Sequence, residues 1–270
     1  MDQQTSFMRS LCLGYIEEEM IVPFPEQTDD EKDLLKGVIQ SLEQTFKGRD
    51  DEYRKWDRQG ELPPEVIQQM KDLGLFSLII PEEFGGLGMN AKSYSRSLQE
   101  LAKYDGSVAI TAGAHSSIGM RALVLFGTDE QKTKYLPKLA TGEMIAAFAL
   151  TEPGAGSDAG AIKTKAVKDG NDYIINGNKL WITNGGIAQF FTVFARTDGP
   201  EGHITAFIVT SDMAGVSSGP HEDKMGLRAS STTTIMLDNV RVPAENIIGE
   251  VGKGFKVAMN VLNSGRTGLG

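Results

Sequence analysis

Three short segments carry residue types whose spacing suits a polar organic ligand. The first is Ala149-Leu150-Thr151-Glu152-Pro153-Gly154-Ala155-Gly156-Ser157-Asp158-Ala159-Gly160, where an apolar run becomes a glycine-rich loop. Glycine lets backbone N–H groups come close to an oxygen-rich ligand, and clustered N–H groups hold anions. The spacing of Gly154, Gly156 and Gly160 is not that of a dinucleotide fingerprint, and Ile162 to Val167 alternates like a strand where that fingerprint needs a helix. No Gly-Lys-Ser/Thr follows, so a P-loop is excluded. The same stretch also reads as a plain β-turn loop. The second segment is Trp181-Ile182-Thr183-Asn184-Gly185-Gly186. An indole there could stack on a planar ring while the Thr183 hydroxyl bonds its edge; the alternative is a core Trp followed by a turn. The third is Asn263-Ser264-Gly265-Arg266, in which a guanidinium could bind a phosphate or simply sit in solvent.

Other reactive residue types read blandly. The one cysteine, Cys12, rules out a disulfide framework and a Cys-based zinc site. His115, His203 and His221 are widely spaced, so no metal centre is expected. His115 lies between small residues on a helical stretch and reads as a packed histidine rather than a base. Glu17-Glu18-Glu19 reads as a solvated face, and Met225, Met236 and Met259 as core filler.

The elements that must position these segments change period once, near Gly142. Leu34, Leu35, Val38, Ile39, Leu42 and Phe46 recur at helical spacing, with an N-cap at Thr28-Asp29 and a stop at Gly48. A second helix starts at Pro63-Pro64 and ends at Gly74. Ala91 to Tyr104 predicts a third and Ser107 to Phe126 a fourth, longer and buried. Thr128 to Gln131 reads as a capping box opening a fifth. A glycine-rich loop, Pro81 to Gly88, separates the second from the third. From Met144 the period becomes two. Met144 to Leu150 predicts a buried strand, and Tyr173 to Ile182 a hairpin turning at Asn176-Gly177. Phe190 to Ala195, Ile204 to Thr210, Thr232 to Leu237 and Val240 to Val242 continue the strands. Turns are expected at Asp198-Gly199-Pro200 and Ser218-Gly219-Pro220. Helical spacing returns at Phe255, Ala258, Met259 and Leu262. The pattern predicts an α+β chain: an all-helical domain over 1–143, an antiparallel β-barrel or sandwich over 144–252, and the start of a further helical part over 253–270.

Composition bounds the function. The 270 residues allow two domains, and 40% hydrophobic with 23% charged residues is ordinary globular usage. A net charge of −9 with no basic cluster argues against nucleic-acid binding. The N-terminus has no secretory pattern. The most apolar stretch, Val108 to Phe126, is broken by His115 and Arg121, so no membrane span is expected.

Taken together, the motifs resemble the acyl-CoA dehydrogenase family. The resemblance rests on Leu150-Thr151-Glu152-Pro153, Gly156-Ser157-Asp158, Trp181 to Gly186, Met225-Gly226-Leu227-Arg228-Ala229-Ser230, Val240 to Asn246, and Gly254 to Met259, all in the family's order. Ser6-Phe7-Met8 to Pro23-Phe24-Pro25 and Gly113 to Gly119 look most like its very-long-chain branch. The resemblance implies an N-terminal helical domain, a middle β domain and a C-terminal helical bundle, of which 253–270 would be the first helix and the rest would be missing here. It implies FAD, with Phe148, Leu150, Thr151, Gly156, Ser157, Trp181, Ile182 and Thr183 as cofactor-binding residues. Ser157, Asn263 and Arg266 would bind the substrate.

The reaction implied is α,β-dehydrogenation of acyl-CoA thioesters in fatty-acid β-oxidation. The implied acceptor is an electron-transferring flavoprotein, and the full-length form would be a homodimer or homotetramer. The family's usual glutamate base lies late in the C-terminal domain, and some branches place it just before the CoA-binding Arg. Here that position is Gly265, so no catalytic residue is assigned, and this chain alone is expected to bind FAD weakly and be inactive. A helix ending at Gly270 is expected to leave the Phe255–Leu262 face without a partner. A non-catalytic flavin-binding or docking module and a flavin oxidase relative are the alternatives. The compartment expected is a bacterial cytoplasm or a mitochondrial matrix.

Overall fold

The computed structural model describes residues 7–23, 26–199 and 202–269, with the side chains of residues 9, 264 and 266–269 outside that description. Ser6, Phe24, Pro25, Pro200 and the Arg266 side chain, named above, lie outside the described residues. Helices α1 (Phe7–Cys12), α2 (Asp29–Phe46), α3 (Asp50–Gln59), α4 (Pro64–Asp72), α5 (Ala91–Ala102), α6 (Gly106–Ala114), α7 (Arg121–Phe126) and α8 (Asp129–Ala140) come first.

Their ends follow capping chemistry. The Thr28 hydroxyl accepts from the Glu31 amide at 3.2 Å while the Glu31 carboxylate accepts from the Thr28 amide at 2.9 Å. Thr128 and Gln131 repeat this box at α8, with 3.2 and 3.1 Å. Pro64 opens α4, and Gly74 stops the chain beyond it at φ +68°. Helix α3 escapes the periodicity because DDEYRKWDRQ holds only two apolar residues. Tyr53 and Trp56 are both buried, stacked edge-on at 5.3 Å, and the Tyr53 hydroxyl donates to the Phe46 carbonyl.

The long fourth helix is split. A π-helical turn, His115–Gly119, joins α6 to α7. The run Gly106–Phe126 is long and apolar enough to cross a membrane, but 67% of its apolar 18-residue window is buried within the fold, as a core helix requires.

Strands β1 (Ala146–Ala149), β2 (Lys165–Asp169), β3 (Asp172–Thr183), β4 (Phe190–Arg196), β5 (Ile204–Thr210), β6 (Val216–His221), β7 (Thr232–Pro243) and β8 (Ile247–Ile248) form one sheet in the order β6-β7-β3-β2-β4-β5-β8. Strand β1 adds to β4. The pairings are antiparallel except β1–β4 and β2–β4, so the sheet is mixed rather than purely antiparallel. Alternation along β4 and β5 sends side chains both ways. Phe190, Phe194, Ile204, Ala206 and Ile208 face a core shared with α7 and α8. Phe191, Val193, Phe207 and Val209 face Ile175, Ile182, Ile235 and Leu237 of β3 and β7, so the sheet curls over a second core. The helices keep a third, around Phe46, Trp56, Met70, Phe76 and Leu101.

Four expectations are corrected. The hairpin turns at Gly170-Asn171, where Asp169 pairs with Asp172 and Gly170 has φ +63°. Asn176-Gly177 lies within β3, between partners on both sides, and its misfit is absorbed as a bulge against β7. Asn176 instead accepts from the Asn239 amide at 2.8 Å. Ser218-Gly219-Pro220 is strand, not turn, because β6 is an exposed edge where proline's missing N–H costs no ladder bond. Met225 is fully exposed at 104% and Met236 at 39%, so neither fills the core; Met259 does pack against it. Finally, α9 (Gly254–Leu269) does not leave its apolar face bare. Val257, Ala258 and Val261 enter the α7–α8 core, while Phe255 is 43% exposed.

Candidate functional site

The glycine loop leaves the end of β1 and lies against the end of β3. The Leu180 amide donates to the Thr151 carbonyl at 2.9 Å. The loop closes a tight turn, Glu152 to Ala155, by bonds of 3.3 and 3.0 Å, with Ala155 plugged into the core. Its far end is held by the Arg196 guanidinium, which donates to the Ile162 carbonyl at 2.7 Å and to the Gly160 carbonyl. Between these anchors Gly154, Gly156, Ser157 and Asp158 form an exposed tongue. Open space stands where a Cβ would be at Gly154 and Gly156, and neither has a positive φ. Nothing inside the fold therefore demands glycine at either position.

Beside the tongue, β3 loses its register with β7 between Lys179 and Ile182. Trp181 sits in this bulge at φ +56°, a left-handed conformation uncommon for a bulky residue, and its side chain is turned outward, 60% exposed. Trp181 is thus not a core tryptophan. Thr151 and Thr183 are half-buried next to it. Phe148, Leu150 and Ile182 have buried side chains, the Phe148 ring lying 4.9 Å from that of Phe194, so they reach the surface only through backbone.

Beneath the tongue is an ion pair that the sequence reading passed over. Glu152 and Lys179 are both buried, at 2.7 Å. Glu152 also accepts from the Lys163 amide at 2.6 Å and from the Thr164 amide and hydroxyl at 3.0 and 2.5 Å. Burial alone would raise the Glu152 carboxyl, but the Lys179 ammonium and these donors hold it below its ordinary range. Burial pulls the Lys179 ammonium below its ordinary range, and the carboxylate 2.7 Å away acts against that shift. Lys179 shares the inward parity of Tyr173 and Ile175. A charge at an inward strand position was the signal that could have revealed it.

Two buried side chains join the helices to this site. The Asn184 amide donates to the Thr111 carbonyl at 3.0 Å and to the Ala146 carbonyl at 3.3 Å. His115 Nδ1 accepts from the Ala146 amide at 2.9 Å, which places the imidazole proton on Nε2, and its ring meets Phe76 edge-on. Burial pushes His115 down to about 3, so it is a neutral, packed histidine and no base at physiological pH. An unfolded histidine takes its proton near 6.5, so the unfolded state binds more protons as pH falls from there toward 3, and stability drops through that window. One such group contributes about 1.4 kcal/mol per pH unit. Replacing His115 with Asn should flatten the pH dependence of the unfolding free energy by about that slope, as read from urea melts across acid pH. An unchanged slope would contradict the assignment.

A second concavity of about 440 Å³ lies between α3 and the 221–228 loop. Across it Arg228 grips Asp57 through Nε and Nη2 at 3.0 and 2.6 Å. It reads as a joint between helices and sheet. On α9, Asn263 is exposed, and Gly265 packs so closely that a Cβ would stand 2.8 Å from the Ile118 side chain. Asn263 and Gly265 occupy one helix with the Arg266 backbone, but the Arg266 side chain lies outside the described residues. Among the described residues no group of three His, Cys, Asp or Glu could hold a metal ion.

Residues 18–143 match the model of the acyl-CoA dehydrogenase N-terminal domain, and residues 147–240 that of the middle domain. The mitochondrial very long-chain specific acyl-CoA dehydrogenase of Homo sapiens is 44% identical over 277 residues, covering 99% of this chain and 42% of its own length. The butyryl-CoA dehydrogenase of Megasphaera elsdenii superposes with a TM-score of 0.83 at 41% identity, over 91% of this chain and 65% of its own. An acyl-CoA dehydrogenase from Bacillus anthracis, complexed with FAD, does so at 0.80 and 42% identity, over 90% and 41%. The chain belongs to the acyl-CoA dehydrogenase family. It spans less than half the length of the very long-chain relative it matches.

Proposed function

We propose that the tongue and the β3 bulge form the FAD-binding surface of an enzyme that converts acyl-CoA thioesters to trans-2-enoyl-CoA. The observation that carries this reading is the exposed pair Gly154 and Gly156, which nothing internal requires, held beside an outward-facing Trp181. A ligand approaching the backbone within contact distance accounts for both glycines. When bound, FAD supplies the two-electron acceptor for the β-hydrogen.

The chain's own groups bind, orient and exclude water. Backbone around Gly156 and the Ser157 hydroxyl suit phosphate oxygens. Thr151 and Thr183 offer hydroxyls to a polar ring edge, and Leu150, Ile182 and Phe148 contribute backbone. Trp181 shields a ring from water. Ser157, Asn263 and Arg266 are proposed to hold the CoA part of the substrate.

No base for the α-proton is assigned here. Gly265 has no side chain, and Glu152 is saturated by Lys179, Lys163 and Thr164. Asp158 belongs to the tongue. The match to the very long-chain relative over 99% of this chain, against 79% for an equally identical short-chain specific relative, supports long acyl groups. An electron-transferring flavoprotein is the proposed acceptor, a homodimer or homotetramer the assembly, and a bacterial cytoplasm or mitochondrial matrix the compartment. Titrating FAD into the protein tests the reading: saturable one-to-one binding is expected, and none would overturn it.

A further inference from the structure

We infer that Lys179 and Glu152 are a positioning pair, a buried clasp that fixes the base of the tongue to the bulge of β3 and so sets the spacing between Thr151 and the Trp181–Thr183 segment. What the clasp positions rests on the flavin reading above; the clasp itself does not.

Three consecutive loop residues are tied to two consecutive strand residues. The Lys179 ammonium donates to the Leu150 carbonyl at 3.2 Å and to the Glu152 carboxylate at 2.7 Å. The Leu180 amide donates to the Thr151 carbonyl at 2.9 Å. On its other side the bulge has slipped away from β7, whose pairing stops at Lys179↔Ile235 and resumes at Ile182↔Thr233. The sheet therefore leaves Leu180 and Trp181 unpaired with β7, and the loop's bonds hold the two residues that lead into Trp181. Glu152 then passes the constraint on to Lys163 and Thr164, where the loop re-enters the sheet at β2. A leucine at 179 would fill the same inward position without desolvating a charge, so stability alone does not explain a lysine there. The lysine adds direction, because its ammonium must face both acceptors at once. Lys179 is fully buried and touches no ligand surface, so it acts through Thr151 and Trp181.

The test uses the double variant Glu152→Gln/Lys179→Met, which removes both charges while keeping the shape. With FAD saturating, its flavin visible absorption and circular dichroism should differ from those of the unmodified protein, and its Kd for FAD should rise at least tenfold. The FAD-free melting temperature should change little. Hydrogen exchange at the Leu180 and Thr164 amides should speed up at least tenfold, with Val209 in β5 unchanged. Should the double variant not fold, Glu152→Gln alone carries the affinity, spectral and exchange readouts, with a lowered melting temperature expected because Lys179 loses its counter-charge. Unchanged affinity, spectra and exchange would overturn the clasp. If the unmodified protein binds no FAD, the flavin reading fails, and the amide exchange still decides whether the clasp exists.

Discussion

Replacing Lys179 alone with Met should destabilise the fold by about 3–5 kcal/mol, whereas the double variant with Glu152→Gln should stay within about 1–2 kcal/mol of the parent. The asymmetry follows from what each change leaves behind. Met at 179 fills the volume but abandons a carboxylate that is 7% exposed and held by hydrogen bonds suited to its charged form. That carboxylate must then either stay charged without its partner or protonate, and each costs free energy. Gln at 152 accepts and donates without charge, so the double variant strands no ion. Urea unfolding of the two variants measures the difference directly. Equal losses in single and double variants would mean the pair is not electrostatically coupled.

Asn184→Leu should cost about 2–5 kcal/mol, although the two side chains share the same branched skeleton of four heavy atoms. Asn184 is fully buried at φ +66°, where asparagine is tolerated far better than a branched aliphatic residue, a difference of about 1–2 kcal/mol. Its side chain donates to the carbonyls of Thr111 in α6, which also accepts from the His115 amide, and of Ala146 in β1, and each such bond contributes about 0.5–1.5 kcal/mol. Because the two bonds tie the helical domain to the strand that feeds the tongue, the variant should also loosen the site. Calorimetric melting checks the stability, and a loss under 1 kcal/mol would contradict the role given to Asn184.

Much of this was legible before any coordinates. Thr28 and Thr128 announced their helices because a capping box is local chemistry, complete within four residues. β4 and β5 were legible as short, mostly apolar runs, since both their faces are buried. The tongue and Trp181 were found by residue type and spacing. What failed depended on partners distant in sequence. Asn176-Gly177 has the local signature of a hairpin, but β2 and β7 flank it, and pairing on both sides outweighs turn propensity. Helix α3 exists because Tyr53 and Trp56 find a core made by other helices. Met225 looked like core filler by type alone, yet its loop projects into solvent. The clasp was missed for a different reason. Glu152 and Lys179 stand 27 residues apart, and only β3's inward parity marks the lysine as buried.

On the proposed reading, the tongue and the bulge together receive FAD. The most direct measurement is the FAD titration repeated on Gly156→Val, with Trp181→Ala beside it. A Cβ at 156 meets no atom within 4 Å and the residue is exposed, so the valine should leave the melting temperature unchanged while blocking the backbone approach a ligand needs. At least tenfold weaker FAD binding is expected for Gly156→Val and a smaller loss for Trp181→Ala, both with intact folds. Equal FAD affinity in the parent and Gly156→Val would contradict that reading.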